Sequence, residues 1–372
     1  MPRPIRAVLN THLIAYNLEL IQKINPSWQC MPVLKANAYG HGVTRILSGL
    51  QAAHRLAVLE IEKAVQLRQQ GWEKPIVLLE GCFDRADIAC ALEHKLDWVL
   101  HSPAQLEALT QYTQAPPSFE HTPCLFLKLN TGMNRLGFTL SQAPQAIARL
   151  NALVAQNAWP TPVLMTHFAN ADTHNDSPQA PSPHAQHAAL MALKPANWLS
   201  SLGNSAGVLN YPELSGNIVR PGIALYGATP GPKPASEYGL KPAMSLCSEI
   251  IAIQHVPAGQ RVGYGSRWQA KKTSTIAVLA CGYADGYPRH APDGTPTWVH
   301  GQIAPLVGRV SMDMLTVDVS HIPEAQVGSP VELWGQHLPV DTLAAHCGTI
   351  GYELLCAVTE RVPFDLMPPL NT

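Results

Sequence analysis

An ammonium placed directly behind an apolar pair is the first residue in this chain that invites chemistry. Residues 33–42 read VLKANAYGHG, and Lys35 follows Val33 and Leu34, where a strand would otherwise stay dry. A partly desolvated lysine amine attacks carbonyl carbon and forms Schiff bases. A lysine snorkelling from a surface is the alternative role. Arg220 follows the apolar NIV, and a guanidinium is rarely buried without a partner. His167, in MTHF, is either a satisfied core histidine or a relay, and Tyr264, in VGYGS, places a phenol in a turn between glycines. The stretches GNSAG (203–207) and RPGIA (220–224) offer the Ser205 hydroxyl and the amides near Gly222 and Ile223 as donors to an anion.

The elements that must position these groups follow from hydrophobic periodicity. Eight short apolar runs precede residue 228: MPVL, RLAVLEI, PIVLLE, DWVLHS, CLFLKL, PVLMTHF, WLSSLG and NIVRPGIALYG. Between them lie helical patterns such as IEKAVQLRQQG (61–71), DRADIACALEHK (84–95), SPAQLEALTQY (102–112) and QAPQAIARLNALVAQ (142–156), several opened by Asp or Ser as N-cap. Another, capped by Asn10, precedes the first run. Strand and helix alternating on this scale predict an α/β fold, a (β/α)8 barrel of the TIM type. Active sites of such barrels sit at the C-terminal ends of the strands, and Lys35 ends the first. Phosphate is often held after strands seven and eight, where GNSAG and RPGIA fall.

The Pro- and Gly-rich ATPGPKPASE (228–237) predicts a linker between a barrel over 1–232 and a mostly β domain over 233–372. The β runs expected beyond it are 244–256, 274–284, 303–319 and 331–335. The polar, proline-rich loop 170–184 after the sixth run is long enough to be functional or mobile.

Composition narrows the partners. Lys plus Arg number 25 against 26 Asp plus Glu, so no general basic field favours nucleic acid or an anionic membrane. No secretory signal or membrane span is apparent, and the eight cysteines are scattered without CxxC pairs, as expected of reduced thiols in a cytoplasmic protein. A small-molecule substrate is the default, with no metal.

Nine separated segments together resemble one family, the alanine racemases that use pyridoxal 5′-phosphate (PLP). They are VLKANAYGHG, LKLNTGMNRLGF (127–138), MTHFANAD (165–172), GNSAG, VRPGIALYG (219–227), RVGYGSRW (261–268), CGYADGYPR (281–289), VGRVSMDM (307–314) and GTIGYE (348–353), in the family's order and across nearly the whole chain.

The resemblance implies that Lys35 carries PLP as a Schiff base and serves one face of the substrate carbanion. Tyr264 serves the other face from a partner subunit, so the protein would be a homodimer with shared sites. A free phenol, with a pKa of about 10, is ionised in roughly one part per thousand at neutral pH, so such a base needs help. The family's chain from tyrosine through His167 to Arg220 would give it, and Arg220 would face the pyridine nitrogen.

The resemblance further implies Tyr39, Tyr352, Asn204, Ser205, Gly222 and Ile223 at the phosphate. Arg135 would contact the substrate carboxylate, steadied by a carbamylated Lys128. Asn130 stands where the family usually has Asp. The Met312 amide, with Asp313 beside it, would also bind the carboxylate. Tyr283 with Tyr352 would form an inner gate, and Asp172, Arg289 and Arg309 an outer one. The implied reaction is interconversion of L- and D-alanine, feeding peptidoglycan or alanine catabolism.

Three alternatives use the same residues: a racemase of broader specificity or for serine, a PLP-binding barrel without catalysis, and a metal-dependent hydrolase using His167, Asp172, His174 and Asp176. The second does not explain a β domain bearing RVGYGSRW and RVSMDM. The third lacks an HxH on the first strand.

Overall fold

The structure is a computed structural model that describes residues 3–114, 121–173 and 180–367. Seven of the eight apolar runs contain strand, and the first, MPVL, holds only the isolated bridge of Val33, its strand Gln29–Cys30 lying just before it. Six form one parallel sheet in chain order, Leu56–Val58, Ile76–Leu78, Asp97–Leu100, Leu125–Lys128, Val163–Met165 and Leu199–Ser201. Nearly every residue in these strands is buried, which is why their sequences read as continuous apolar runs rather than alternations. Gln29–Cys30, just ahead of the first run, pairs parallel with Ile218–Val219 of the eighth. Bridges Val33–Ala57 and Asn204–Arg220 join that pair to the two edges of the sheet and close the barrel.

The helices match the periodic segments: Ile61–Gln69, Arg85–Glu93, Pro103–Gln114 and Ala143–Gln156. Asp84 accepts from Asp87 N–H and Asn10 from His12 N–H, so both expected caps are made.

The second body is built on the 13-residue strand Met244–Val256. Two register shifts let it pair with Pro330–Trp334 at one end and Ser274–Leu279 at the other. The expected run 303–319 divides into Gln302–Pro305 and Leu315–Asp318, with an irregular connection around Gly308, whose φ is +79°. Helices Val340–His346 and Gly351–Cys356 also lie in this part of the chain.

The structure adds a crossing absent from the hydrophobic pattern. Strand Arg6–Leu9 pairs antiparallel with Met244–Val256 and parallel with Phe364–Leu366, so the start of the chain belongs to the second sheet. The stretch 228–237 is tied down at its start, where Thr229 N–H donates to Asp341 Oδ2 at 2.8 Å, and just beyond its end, where Asn17 Nδ2 donates to Lys241 O at 2.8 Å.

Candidate active site

Lys35 leaves the first barrel strand into an unusual backbone. Ala36, Asn37, Ala38 and Tyr39 all take left-handed φ, between 50° and 57°. None is glycine, and each such residue costs about 1–2 kcal/mol in isolation. Local bonds offset this: Ala38 N to Leu34 O (2.8 Å), Gly40 N to Ala36 O (3.0 Å) and Val43 N to Asn37 Oδ1 (3.2 Å). The buried His41 ring adds contacts from Nδ1 to the Ala38 and Tyr39 carbonyls at 3.1 and 3.0 Å. The turn brings Tyr39 back beside its own lysine, with Lys35 Nζ 5.8 Å from the Tyr39 ring centre. Tyr39 is buried, 4.7 Å centre to centre from Tyr226, whose hydroxyl donates to Val33 O, and 5.9 Å from Tyr352.

A cavity of about 340 Å³ opens at the barrel mouth, lined among others by Lys35, Glu80, Lys128, Arg135, His167 and Arg220. Four of these residues are cationic types and one is acidic. Burial, and then the charge of Arg135, lower the Lys35 amine below the ordinary lysine range. Burial first, then Arg220 and Arg135, push Lys128 down to about 8 against the opposing pull of Glu80. Neutral amines are the nucleophilic form, so the cavity favours amine chemistry at both lysines.

Arg220 is buried and held by neutral acceptors: Ser201 Oγ and Thr166 O, each at 2.6 Å, and Leu202 O at 3.1 Å. Burial lowers its guanidinium to about 10. His167 Nδ1 lies 3.3 Å from Arg220 Nη2, and its Nε2 lies 3.4 Å from Asn204 Nδ2. Burial and the Arg220 charge hold the ring well below its ordinary pKa, so it is neutral, with one ring nitrogen free to accept and the other carrying the proton.

Opposite this group is a set of donors suited to phosphate. Ser205 Oγ accepts from Gly222 N (2.8 Å) and Ala224 N (3.3 Å), which leaves the hydroxyl proton free to turn outward. Gly222 has no room for a side chain, because Tyr39 Oη would lie 2.3 Å from an added Cβ. Asn204 caps its helix by accepting from Gly207 N at 2.9 Å. Lysine amine and buried guanidinium line one cavity, the phosphate-type donors follow directly on the bridged strand ends at Asn204 and Arg220, and the residues fit PLP.

Not every expected residue meets there. Tyr264, Met312 and Tyr283 are 69, 53 and 37% exposed on the second body, and none lines this cavity. Arg289 is also exposed, and Arg309 packs near Gly265, beside Tyr264. Asp172 and Tyr352 instead line a neighbouring cavity of about 790 Å³ that shares His167 and is also lined by Asn204. Asp313 pairs with Arg361, Nη2 to Oδ1 at 2.6 Å.

Asn130 accepts from Gly132 and Asn134 N–H and donates to Asn134 Oδ1, so it shapes its own loop. Of the metal alternative, His174 and Asp176 lie outside the described residues; among the described ones no group of three or more His, Cys, Asp or Glu could hold a metal. His184 and His187 sit near the start of helix Pro183–Met191.

Sequence reading passed over Glu80. It ends the third strand run as Lys35 ends the first, and the same barrel-mouth rule would have marked it.

A barrel with an amine-bearing strand end, a buried guanidinium and an anion cradle, joined to a β domain, defines the class of two-domain enzymes that work through a carbonyl cofactor. Two family models divide this chain between them, "Alanine racemase, N-terminal domain" over residues 9–230 and "Alanine racemase, C-terminal domain" over 243–366. The chain belongs to the alanine racemase family. It is 46% identical to the alanine racemase of Janthinobacterium sp. (strain Marseille) over 362 residues, 97% of this chain and 98% of that one. The crystal structure of biosynthetic alanine racemase from Pseudomonas aeruginosa superposes with a TM-score of 0.88 at 42% identity, covering 98% of this chain and 100% of that chain. That of alanine racemase from Bartonella henselae with covalently bound pyridoxal phosphate gives 0.84 at 27% identity, covering 98% and 100%.

Proposed function

We propose that this protein interconverts L-alanine and D-alanine, moving the Cα proton with two groups: Lys35 of one protomer and Tyr264 of its partner in a homodimer. The observation that carries the reading is the convergence of Lys35, Arg135, His167 and Arg220 on one cavity. PLP, when bound, supplies the electron sink that makes the Cα proton removable.

Lys35 would hold the cofactor and, once freed by substrate, take or return the proton on one face; its lowered amine pKa suits both tasks. Ser205, Asn204, Tyr39, Tyr352 and the amides near Gly222 and Ile223 would hold the phosphate. Arg220, fixed by three neutral acceptors, would donate to the ring nitrogen and so keep it unprotonated. His167 would buttress the ring and connect Arg220 to Tyr264.

Arg135 presents a planar fork for the substrate carboxylate, and a carbamate on Lys128 would anchor that fork. The exposure of Tyr264, Met312 and Tyr283 supports their delivery, with Asp313, Arg289 and Arg309, to the partner's cavity. Asp172 would meet those arginines at an outer gate. The reading also divides the chain into a PLP-binding barrel (1–232) and a β domain (233–372), with residues 3–9 crossing to the β sheet. No helix among the described residues is long and apolar enough to cross a membrane, and we place the enzyme in the cytoplasm, serving peptidoglycan synthesis or alanine catabolism.

A coupled assay of D-alanine formation across a panel of amino acids tests this. Alanine should far outpace serine. Activity confined to other amino acids, or a protein with no bound cofactor, would overturn the proposal.

A further inference from the structure

Asp285 is completely buried, and donors from three parts of the chain surround it. Arg3 grips both oxygens, Nη1 to Oδ1 at 2.8 Å and Nη2 to Oδ2 at 3.0 Å. Arg361 Nε lies 3.0 Å from Oδ1, and Gly282 N–H donates to Oδ2 at 2.8 Å. The same Arg3 Nη2 also donates to the carbonyl of Asp313, while Arg361 Nη2 pairs with the Asp313 carboxylate. Two guanidinium groups, one near each end of the described chain, therefore fasten the segment around Asp285 to the segment around Asp313.

Those two segments carry Tyr283 and Met312. Their backbones are joined directly, Tyr283 N to Ser311 O and Ala284 N to Met312 O, both at 3.0 Å. Gly282 packs so closely that an added Cβ would meet Met312 O at 2.3 Å.

We infer that Arg3 is a positioning residue for substrate binding: through Asp285 and the Asp313 carbonyl it sets where Tyr283 and Met312 stand. The inference rests on the proposed placing of those two residues at the partner's substrate site. Among the described residues only Arg3 bridges the Asp285 carboxylate and the main chain beside Met312. Without it Asp285 keeps Arg361 and Gly282 as partners, so the fold survives while the Met312 segment loses a restraint. Lysine has a single ammonium and cannot reproduce the fork.

The test uses the intact holoenzyme with Arg3→Met, Arg3→Lys and Tyr283→Ala, reading KM and kcat in both directions, bound-cofactor absorbance and thermal midpoint. Arg3→Met should raise KM for both alanine enantiomers about fivefold, about 1 kcal/mol. Its kcat should stay within about twofold and its cofactor absorbance unchanged, since the proposed cofactor residues lie on the barrel, apart from Tyr352, and none of them is a partner of Arg3. Arg3→Lys should fall between. If Arg3→Met does not fold, Arg3→Gln replaces it.

An unchanged KM in Arg3→Met beside a raised KM in Tyr283→Ala overturns the inference alone. So does a joint fall of kcat, cofactor content and stability without a KM change, the pattern of a merely structural residue. An unchanged KM in Tyr283→Ala overturns the reading beneath it, and the inference with it.

Discussion

The Tyr39 hydroxyl occupies the place that a side chain on Gly222 would need: an added Cβ would stand 2.3 Å from the phenol oxygen. Tyr39 cannot swing aside, because Tyr226 stacks against it and Tyr352 closes the other flank. The glycine at the end of the eighth strand and the tyrosine after the first are thus one fitted pair.

Gly222→Ala should overpack this contact and destabilise the protein by about 1–3 kcal/mol. Cofactor affinity should fall with it. Tyr39→Phe removes the clashing atom, so the double variant should recover much of the stability lost by Gly222→Ala. A thermal-unfolding double-mutant cycle checks this, and strictly additive losses would show that the two sites do not interact.

Lys128 should reveal itself through carbon dioxide. With its amine pushed down to about 8, the ammonium predominates below that pH, and only the neutral amine takes up CO2. Activity in CO2-stripped buffer should therefore fall most below about pH 8 and recover on adding bicarbonate. Lys128→Ala should be indifferent to bicarbonate at every pH; an equal response in both proteins would remove the lysine from the explanation.

Asp341 gives a stability signature with a defined sign. Burial raises its carboxyl from the ordinary 3.8 to about 6, so the folded protein binds its proton more tightly than the unfolded chain. This contribution is present below about pH 4 and is lost as pH rises to about 6, an effect on the order of 2 kcal/mol. Asp341→Asn keeps an oxygen for Thr229 N–H and should flatten that part of the curve. Urea unfolding across the window measures it.

Shared sites should show in mixtures. Lys35→Ala and Tyr264→Phe chains, each impaired alone, should regain about a quarter of wild-type activity after exchange, because half the dimers are mixed and each has one intact centre of two. No recovery after demonstrated exchange would place both groups on one chain.

The barrel was legible because its strands are buried on both sides and read as apolar runs separated by capped helices. Lys35 was legible for the same reason, as a charge ending such a run. The left-handed turn behind it was not: Ala, Asn, Ala and Tyr carry no glycine signal, and bonds to Leu34, Asn37 and His41 impose the backbone. Strand Arg6–Leu9 was hidden by its brevity, four residues whose partners lie more than 230 positions away. The pairing of Arg3 with Asp285 had no local signal, since 282 residues separate them.

That early strand has a consequence for synthesis. Residues 6–9 are made more than 350 positions ahead of one of their neighbours, Phe364–Leu366. At roughly 5–20 residues per second, translation leaves them unpaired for tens of seconds while the barrel between them can already close. The β sheet is completed only when Arg6–Leu9 meets Phe364–Leu366, so the earlier strand must wait until the barrel and the rest of the sheet have been made.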